Sequence, residues 1–287
     1  GYASAPQSAV PNAIGDTMGG CFSALSGLGA AYPVCPSSRR FKISENNSAL
    51  PQSRVYYNFN YFDDALFVSD GAGFTNRLNV QRHVLGLEYP FWCNMASFGV
   101  EVPFQNGINP EFDGGSLTST ELENVSLYFK SVLYQDCCST FTTGLGVDLP
   151  TGPATDIYVF GNTFELDNDV VILSPFVAFL MADPCGCNFM HAFAQVDLMT
   201  DDYDVLATGT PGQIDGGTWL HTSVSVGRWL QQDCCGNGVA VIGEVHYSTN
   251  IEGEEVLGGA VTGDALVSPD NEFLNATIGA HIARGCW

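Results

Sequence analysis

The chain has 287 residues, with 31 acidic side chains against 9 Lys and Arg and a formal net charge of −22. Such a balance excludes ordinary nucleic-acid binding, which needs cations to displace phosphate counterions, and docking on anionic lipid through a basic patch. Charged residues are nonetheless only 14% and hydrophobic ones 45%, so this is not an acidic disordered chain. No run of 18 apolar residues exists to make a membrane-spanning helix.

The start, Gly1-Tyr2-Ala3-Ser4-Ala5-Pro6, has no basic, apolar leader. Ten cysteines point to an oxidising compartment, and the expectation is export through a signal peptide already cleaved. Residues 1–53 carry Pro6, Pro11, Pro33, Pro36 and Pro51, and a small-residue stretch from Gly19 to Ala31 lies between Cys21 and Cys35. They read as an irregular arm with one short helix around Phe22–Leu28, placed on the periplasmic side through its cysteines, with entry into the lumen as the alternative.

From Arg54 the pattern changes to period two. Val55, Tyr57, Phe59 and Tyr61 alternate with Tyr56, Asn58 and Asn60. A strand over 77–89 slips phase near Val84-Leu85, which predicts a bulge. Ala96, Phe98, Val100 and Val102 alternate with Ser97, Gly99 and Glu101. Val125, Leu127, Phe129 and Leu133 do the same against Ser126, Tyr128 and Lys130. Phe141–Leu149 follows, then similar runs at 170–182, 188–199, 219–231, 238–249 and 273–284. About ten strands result, each roughly 9–13 residues long. Globular strands run about five or six residues, whereas tilted membrane-spanning strands need about 9–11. The polar face holds Ser, Thr, Gly, Asn and occasional charges, which suits a lumen rather than a charged outer surface.

Long connections (63–76, 105–121, 150–169, 200–218, 250–272) alternate with short turns at Pro90–Asn94, Asp136–Ser139, Asp183–Gly186 and Asp233–Asn237. That is the plan of an outer-membrane barrel, with long external loops and short periplasmic turns. Within 150–169, Ile157–Phe160 is a candidate short strand. The fold expected is all-β: an up-and-down antiparallel transmembrane β-barrel of about 10–12 strands over 54–287, preceded by the arm 1–53. Acids concentrate in the long loops. Cys93, Cys137, Cys138, Cys185, Cys187, Cys234, Cys235 and Cys286 fall at the opposite, short-turn rim. With Cys21 and Cys35 they are disulfide candidates of open connectivity. The vicinal pairs are too strained to bond within themselves, so bonds between turns are expected.

Arg54-Val55-Tyr56-Tyr57-Asn58-Phe59-Asn60-Tyr61-Phe62 resembles the first strand of outer-membrane β-barrel proteins of planctomycete-type bacteria. Pro11–Asp16 before it, and Gly144–Gly152 and Glu244–Thr249 after it, are similar to segments in corresponding places. The resemblance runs in order through most of the chain. It implies a porin-like barrel, distantly similar to outer-membrane proteins of aromatic-degradation pathways, and so an outer-membrane location among lipid. Two features depart from that family: the paired cysteines, and an end at Trp287 where further strands are expected.

The inward phase supplies the candidate site residues: Asn58, Asn60, Glu101, Lys130, Asp148, His191, Gln195, Asp197, His221, Glu244, His246 and His281, with His83 assigned to the same phase. They line an aqueous path with cation bias, or pair with one another in a plugged interior. His221 and His246, with Glu244, form a candidate metal pair, although Asp or Ser partners are the stronger expectation. Asp201, Asp202 and Asp204 are a candidate Ca²⁺ cluster without EF-hand spacing; no other cofactor is expected. Tyr57, Tyr61, Trp92, Phe104, Tyr134, Trp219 and Trp229 would form interface girdles. No Gly-x-Ser-x-Gly, zinc-ribbon or His-Glu-x-x-His motif occurs, and no enzyme is expected. Three functions stay open: a porin-like passive channel for small solutes; a structural barrel assembling with lattice neighbours through acidic loops, divalent cations and disulfides; and, behind both, a soluble secreted β-sandwich.

Overall fold

The computed structural model describes residues 10–16, 22–25, 31–34, 41–69, 75–106, 120–159, 162–207, 210–214, 217–233, 237–251, 256–257 and 272–284. Among these residues there is no helix, and so none long and apolar enough to cross a membrane. The strands are β1 (Phe22–Leu25), β2 (Ala31–Val34), β3 (Arg54–Ser69), β4 (Thr75–Phe91), β5 (Ala96–Asn106), β6 (Thr120–Leu122), β7 (Val125–Gln135), β8 (Ser139–Leu149) and β9 (Thr155–Val159). They continue with β10 (Asn162–Leu166), β11 (Ile172–Ala182), β12 (Asn188–Met199), β13 (Tyr203–Ala207), β14 (Thr210–Ile214), β15 (Trp219–Gln232), β16 (Gly238–Asn250), β17 (Val256–Leu257) and β18 (Glu272–Ala283).

Ten long antiparallel strands, in the order β3-β4-β5-β7-β8-β11-β12-β15-β16-β18, make one sheet curled into a half-barrel. Sequence neighbours pair with one another throughout, as short turns and single-loop returns dictate. The β1–β2 hairpin joins the edge of β3 through Ala31 opposite Ser69, and β6 pairs with β5. The long connections after β8, β12 and β16 build a second sheet, ordered β17-β14-β13-β10-β9.

Among the described residues, the period-two pattern sorts the long strands into unlike faces, with charged side chains buried and apolar ones exposed, the reverse of a soluble protein. The outward face of β12 reads Met190, Ala192, Ala194, Val196 and Leu198; its inward face reads Phe189, His191, Phe193, Gln195 and Asp197. Lys130, Asp148, His191 and Asp197 are fully buried, whereas Ile278 is 90% and Val55 80% exposed. Two stretches of the arm, 10–16 and 41–50, lie in the hollow of the curl. Val10, Ala13, Phe41, Ile43 and Ala49 pack there against Tyr128, Phe176, Leu180, Phe193 and Ile242.

Four expectations are corrected. Phe22–Leu25 is a strand rather than the start of a helix, because it pairs with Ala31–Val34. The β4–β5 register runs unbroken through Val84 and Leu85; the irregularity lies between Phe62 and Leu66, on the β3 side. Without a bulge at 84–85, His83 keeps the phase of Leu85 and Leu87. It therefore sits on the outward face among Tyr57, Phe59 and Phe104. Of the girdle candidates, Trp219 and Trp229 are buried inward, Phe104 is half-buried, and Tyr57, Tyr61, Trp92 and Tyr134 are exposed.

One close approach fixes a glycine. The Tyr128 ring lies across Gly99 on the neighbouring strand, so a Cβ there would meet it at 2.0 Å. The ring cannot yield easily, being stacked on Phe41 at 5.2 Å and bonded to Glu88. Gly99→Val is expected to cost about 1–3 kcal/mol of stability through overpacking. An unchanged thermal unfolding midpoint would contradict this packing.

Candidate functional site

The hollow is a polar site filled by the protein itself. An irregular segment has no ladder to satisfy its backbone, and burying it requires partners from elsewhere. The strands supply them. The Gln195 amide accepts from Ile43 N (2.8 Å) and donates to Phe41 O (2.6 Å), as a neighbouring strand would. Asp148 accepts from Phe41 N at 3.0 Å, and Thr142 Oγ1 donates to Ala49 O at 2.7 Å. Glu244 accepts from Ile14 N and Gly15 N, both at 2.7 Å. His191 Nε2 stands 2.9 Å from Pro11 O.

Charges are paired within the same space. Glu88 meets Lys130 Nζ at 2.7 Å and Arg54 Nε at 2.8 Å, and accepts from Ser97 Oγ at 2.7 Å and Tyr128 Oη at 3.2 Å. Lys130 also donates to Asn47 Oδ1, Ser48 O and Leu50 O of the arm at 3.0–3.3 Å. Arg82 lies between Glu45 of the arm (3.1 Å) and Glu123 (3.0 Å). Glu101 accepts from Tyr56 Oη. Asn58 and Asn60 on β3 hold Asn46 and Glu45. On β18, at the other edge, Asn275 holds Asp16, itself paired with Lys42 at 3.1 Å. His281 faces inward against Trp229. Of the thirteen residues assigned inward from the sequence, the twelve site candidates lie on the concave side and His83 does not. Arg54, Arg82, Glu88 and the arm's Asp16, Lys42 and Glu45 were not among them.

His221 and His246 do not converge on a common ligand. His221 has Ser248 Oγ at 2.8 Å on Nδ1 and Asp197 at 3.1 Å on Nε2. His246 has Ser223 Oγ at 2.9 Å on Nδ1 and Glu244 at 3.2 Å on Nε2. Each is a serine–histidine–acid set, the group types used for nucleophilic catalysis. Both serines are buried, however, and Ser223 is also engaged by Ser44 of the arm at 3.2 Å. Here the sets tie β12, β15 and β16 to each other and to the arm.

Asp201, Asp202 and Asp204 are not gathered into a ligand set close enough to hold an ion. Asp201 accepts from Asp202 N, and Asp204 from Gln213. Among the described residues, the metal-compatible grouping is instead Asp183, Cys185 and Cys187 on the short turn before β12.

The five described cysteines, Cys93, Cys137, Cys138, Cys185 and Cys187, are free thiols. The expectation of bonds between turns therefore finds no support in them; Cys21, Cys35, Cys234, Cys235 and Cys286 lie outside the described residues. Three turns share one local plan, an aspartate folded back onto the turn's own N–H groups. Asp136 accepts from Cys138 N and Ser139 N, Asp183 from Cys187 N, and Asp233 from Asn237 N. The bond from Cys138 N, with that from Tyr134, holds Asp136 below the ordinary carboxylate range. A hydrogen bond with Cys137 pushes the Cys138 thiol up to about 11.

No family model matches the chain, and no curated protein is similar to it.

Two substitutions test the arm contacts. Gln195→Leu strips partners from Phe41 O and Ile43 N, at about 1–3 kcal/mol for each unsatisfied group. It should lower the denaturant midpoint and open the arm to limited proteolysis. Lys130→Met leaves the Glu88 cluster short of a cation, and breaking such a buried pair costs about 3–5 kcal/mol. A wild-type midpoint in either variant would contradict the assigned role.

Proposed function

We propose that the chain is an outer-membrane β-barrel whose lumen is closed by its own N-terminal arm, and that it serves as a structural component of the cell envelope. One observation carries the membrane reading: the inverted polarity of the sheet. Val55, Leu133, Val226, Leu274 and Ile278 point outward and are exposed, while Lys, Asp, Glu and His are buried inward. In water, so broad an apolar face would drive association; against hydrocarbon it is the required surface. Strand length agrees. The 11 residues of β5 or β11 reach about 36 Å at roughly 3.3 Å per residue, and cross about 25 Å when tilted near 45°. The resemblance to planctomycete-type outer-membrane barrels points the same way.

Occupancy of the hollow favours the closed, structural role over passage. The side chains that would line a path, among them Asp148, Gln195 and Glu244, are spent on the arm's backbone. A passive channel is the second reading, favoured by the acidic balance of the lining, which would select cations once the arm had left. In a membrane, the outer edges of β3 and β18 are paired too, with each other or through further strands, because hydrocarbon satisfies no backbone group.

Planar bilayers separate the readings. The intact chain should insert and seal without conductance steps, whereas Gln195→Leu combined with Lys130→Met should give cation-selective steps. Steps from the intact chain would overturn the closed reading. Recovery of the chain in the aqueous phase, with no insertion, would overturn the membrane reading.

A further inference from the structure

The short-turn rim carries a chemistry that neither a plug nor a lipid-facing wall requires. Asp183-Pro184-Cys185-Gly186-Cys187-Asn188 places two thiols one residue apart, beside a carboxylate. Gly186 has a φ of 69°, in the left-handed region that glycine accepts without strain. The turn is closed by Gly186 N donating to Asp183 O at 2.8 Å and by Cys187 N donating to Asp183 Oδ1 at 2.7 Å. Reversal at Gly186 brings both cysteines back toward the aspartate. Cys185 Sγ lies 3.3 Å from Asp183 Oδ1, and one ligand atom from each of the three residues lies within 4.8 Å of the others.

We propose that Asp183, Cys185 and Cys187 form a binding site for a soft, thiophilic metal ion of the Zn²⁺, Cd²⁺ or Cu⁺ class. A tetrahedral Zn²⁺ with Zn–S near 2.3 Å needs sulfurs about 3.8 Å apart and a carboxylate oxygen slightly closer. The three ligand atoms, all within 4.8 Å of one another, already stand close to that spacing. Two sulfurs set the preference, because hard cations such as Ca²⁺ and Mg²⁺ seek oxygen. Asp183 is anchored through Asn188 Nδ2 on its other oxygen at 2.6 Å, the kind of outer partner that fixes a ligand's orientation. The site is reached from solvent, since Cys185 is exposed and Asp183 and Cys187 are half-buried. A fourth ligand would come from water or from the adjoining turn. That turn is bound directly to β11, where Ala182 N donates to Cys138 O at 2.8 Å, and it bears two more thiols, Cys137 and Cys138, with sulfurs 3.1 Å apart.

The test uses the purified full chain under reducing conditions, with Cd²⁺ and Zn²⁺ as probes. Titration with Cd²⁺ should raise the ultraviolet thiolate-to-cadmium band, and native mass spectrometry should count a bound Zn²⁺ that excess Ca²⁺ does not displace. Cys185→Ser and Cys187→Ser should each remove the band, and should weaken Zn²⁺ binding by at least the roughly 10–100-fold that losing even an outer-shell partner costs. Cys93→Ser, on a different turn, should leave both unchanged and so controls for folding and for nonspecific thiol binding. A band that persists in the Cys185→Ser/Cys187→Ser double variant would overturn the assignment, as would no metal uptake by the reduced chain. So would a native protein in which Cys185 and Cys187 are already oxidised to a disulfide.

Discussion

An irregular chain enclosed by protein must find partners for its N–H and C=O groups. Here the inward side chains of the sheet provide them alongside the arm's own backbone bonds, such as Ala13 N to Asn47 O. Gln195 presents both halves of an amide to Phe41 and Ile43 in the manner of a neighbouring strand. Glu244 caps two successive arm N–H groups. The arm answers in kind, since three of its oxygens surround the ammonium of Lys130, which is fully buried. Neither half would be tolerable alone. An empty hollow would leave Lys130 and Glu88 with fewer ligands, and an arm without the sheet would have unpaired backbone. Low local dielectric makes the satisfied network strong and any half-satisfied version costly.

The same network explains how apolar and polar packing share the interior. Phe41 stacks on Tyr128, and the Tyr128 hydroxyl reaches Glu88. Glu88 in turn holds Arg54 on the first long strand and Lys130 on the fourth. A ring contact in the arm is thus continuous with an ion cluster in the wall. Toward the short-turn rim the inward residues become apolar, with Leu180, Ala182, Phe189 and Ala240 in the core cluster. That end is closed by hydrophobic packing, the middle by hydrogen bonds.

Much of this was legible in the sequence, because a β-strand writes its two environments in alternate residues. The ten strands, the short turns and the inward phase of Lys130, Asp148, Gln195 and Glu244 follow from period two alone. His83 shows the limit of that rule: one supposed bulge moves a side chain to the other face, and the bulge lies elsewhere. Trp219 and Trp229 were misplaced by a different route. Their position near strand ends suggested a girdle, whereas their phase puts them inside. The arm's cysteines argued for the periplasmic side over the lumen, whereas 10–16 and 41–50 lie in the hollow; Phe41–Leu50 has no period to show this, and its partners are backbone groups that every residue carries. The serine–histidine–acid sets were half visible: the histidines stood out, but the serines opposite them are set by register.

The remaining constraint is at the edges of the sheet. β3 and β18 run antiparallel to each other by strand parity. Asn58 and Asn60 of β3 contact the arm at Asn46 and Glu45, while Asn275 of β18 contacts it at Asp16. One irregular body therefore holds both edges, and Lys42 bound to Asp16 links its two stretches. If the outward face meets hydrocarbon, an unpaired edge there costs several kcal/mol for each exposed backbone group. The arm limits how far the edges can separate, and so sets the entropy lost when they are sealed. On that argument the arm would, in the proposed barrel, do more than fill the hollow: by holding both edges it would be the template on which the wall closes.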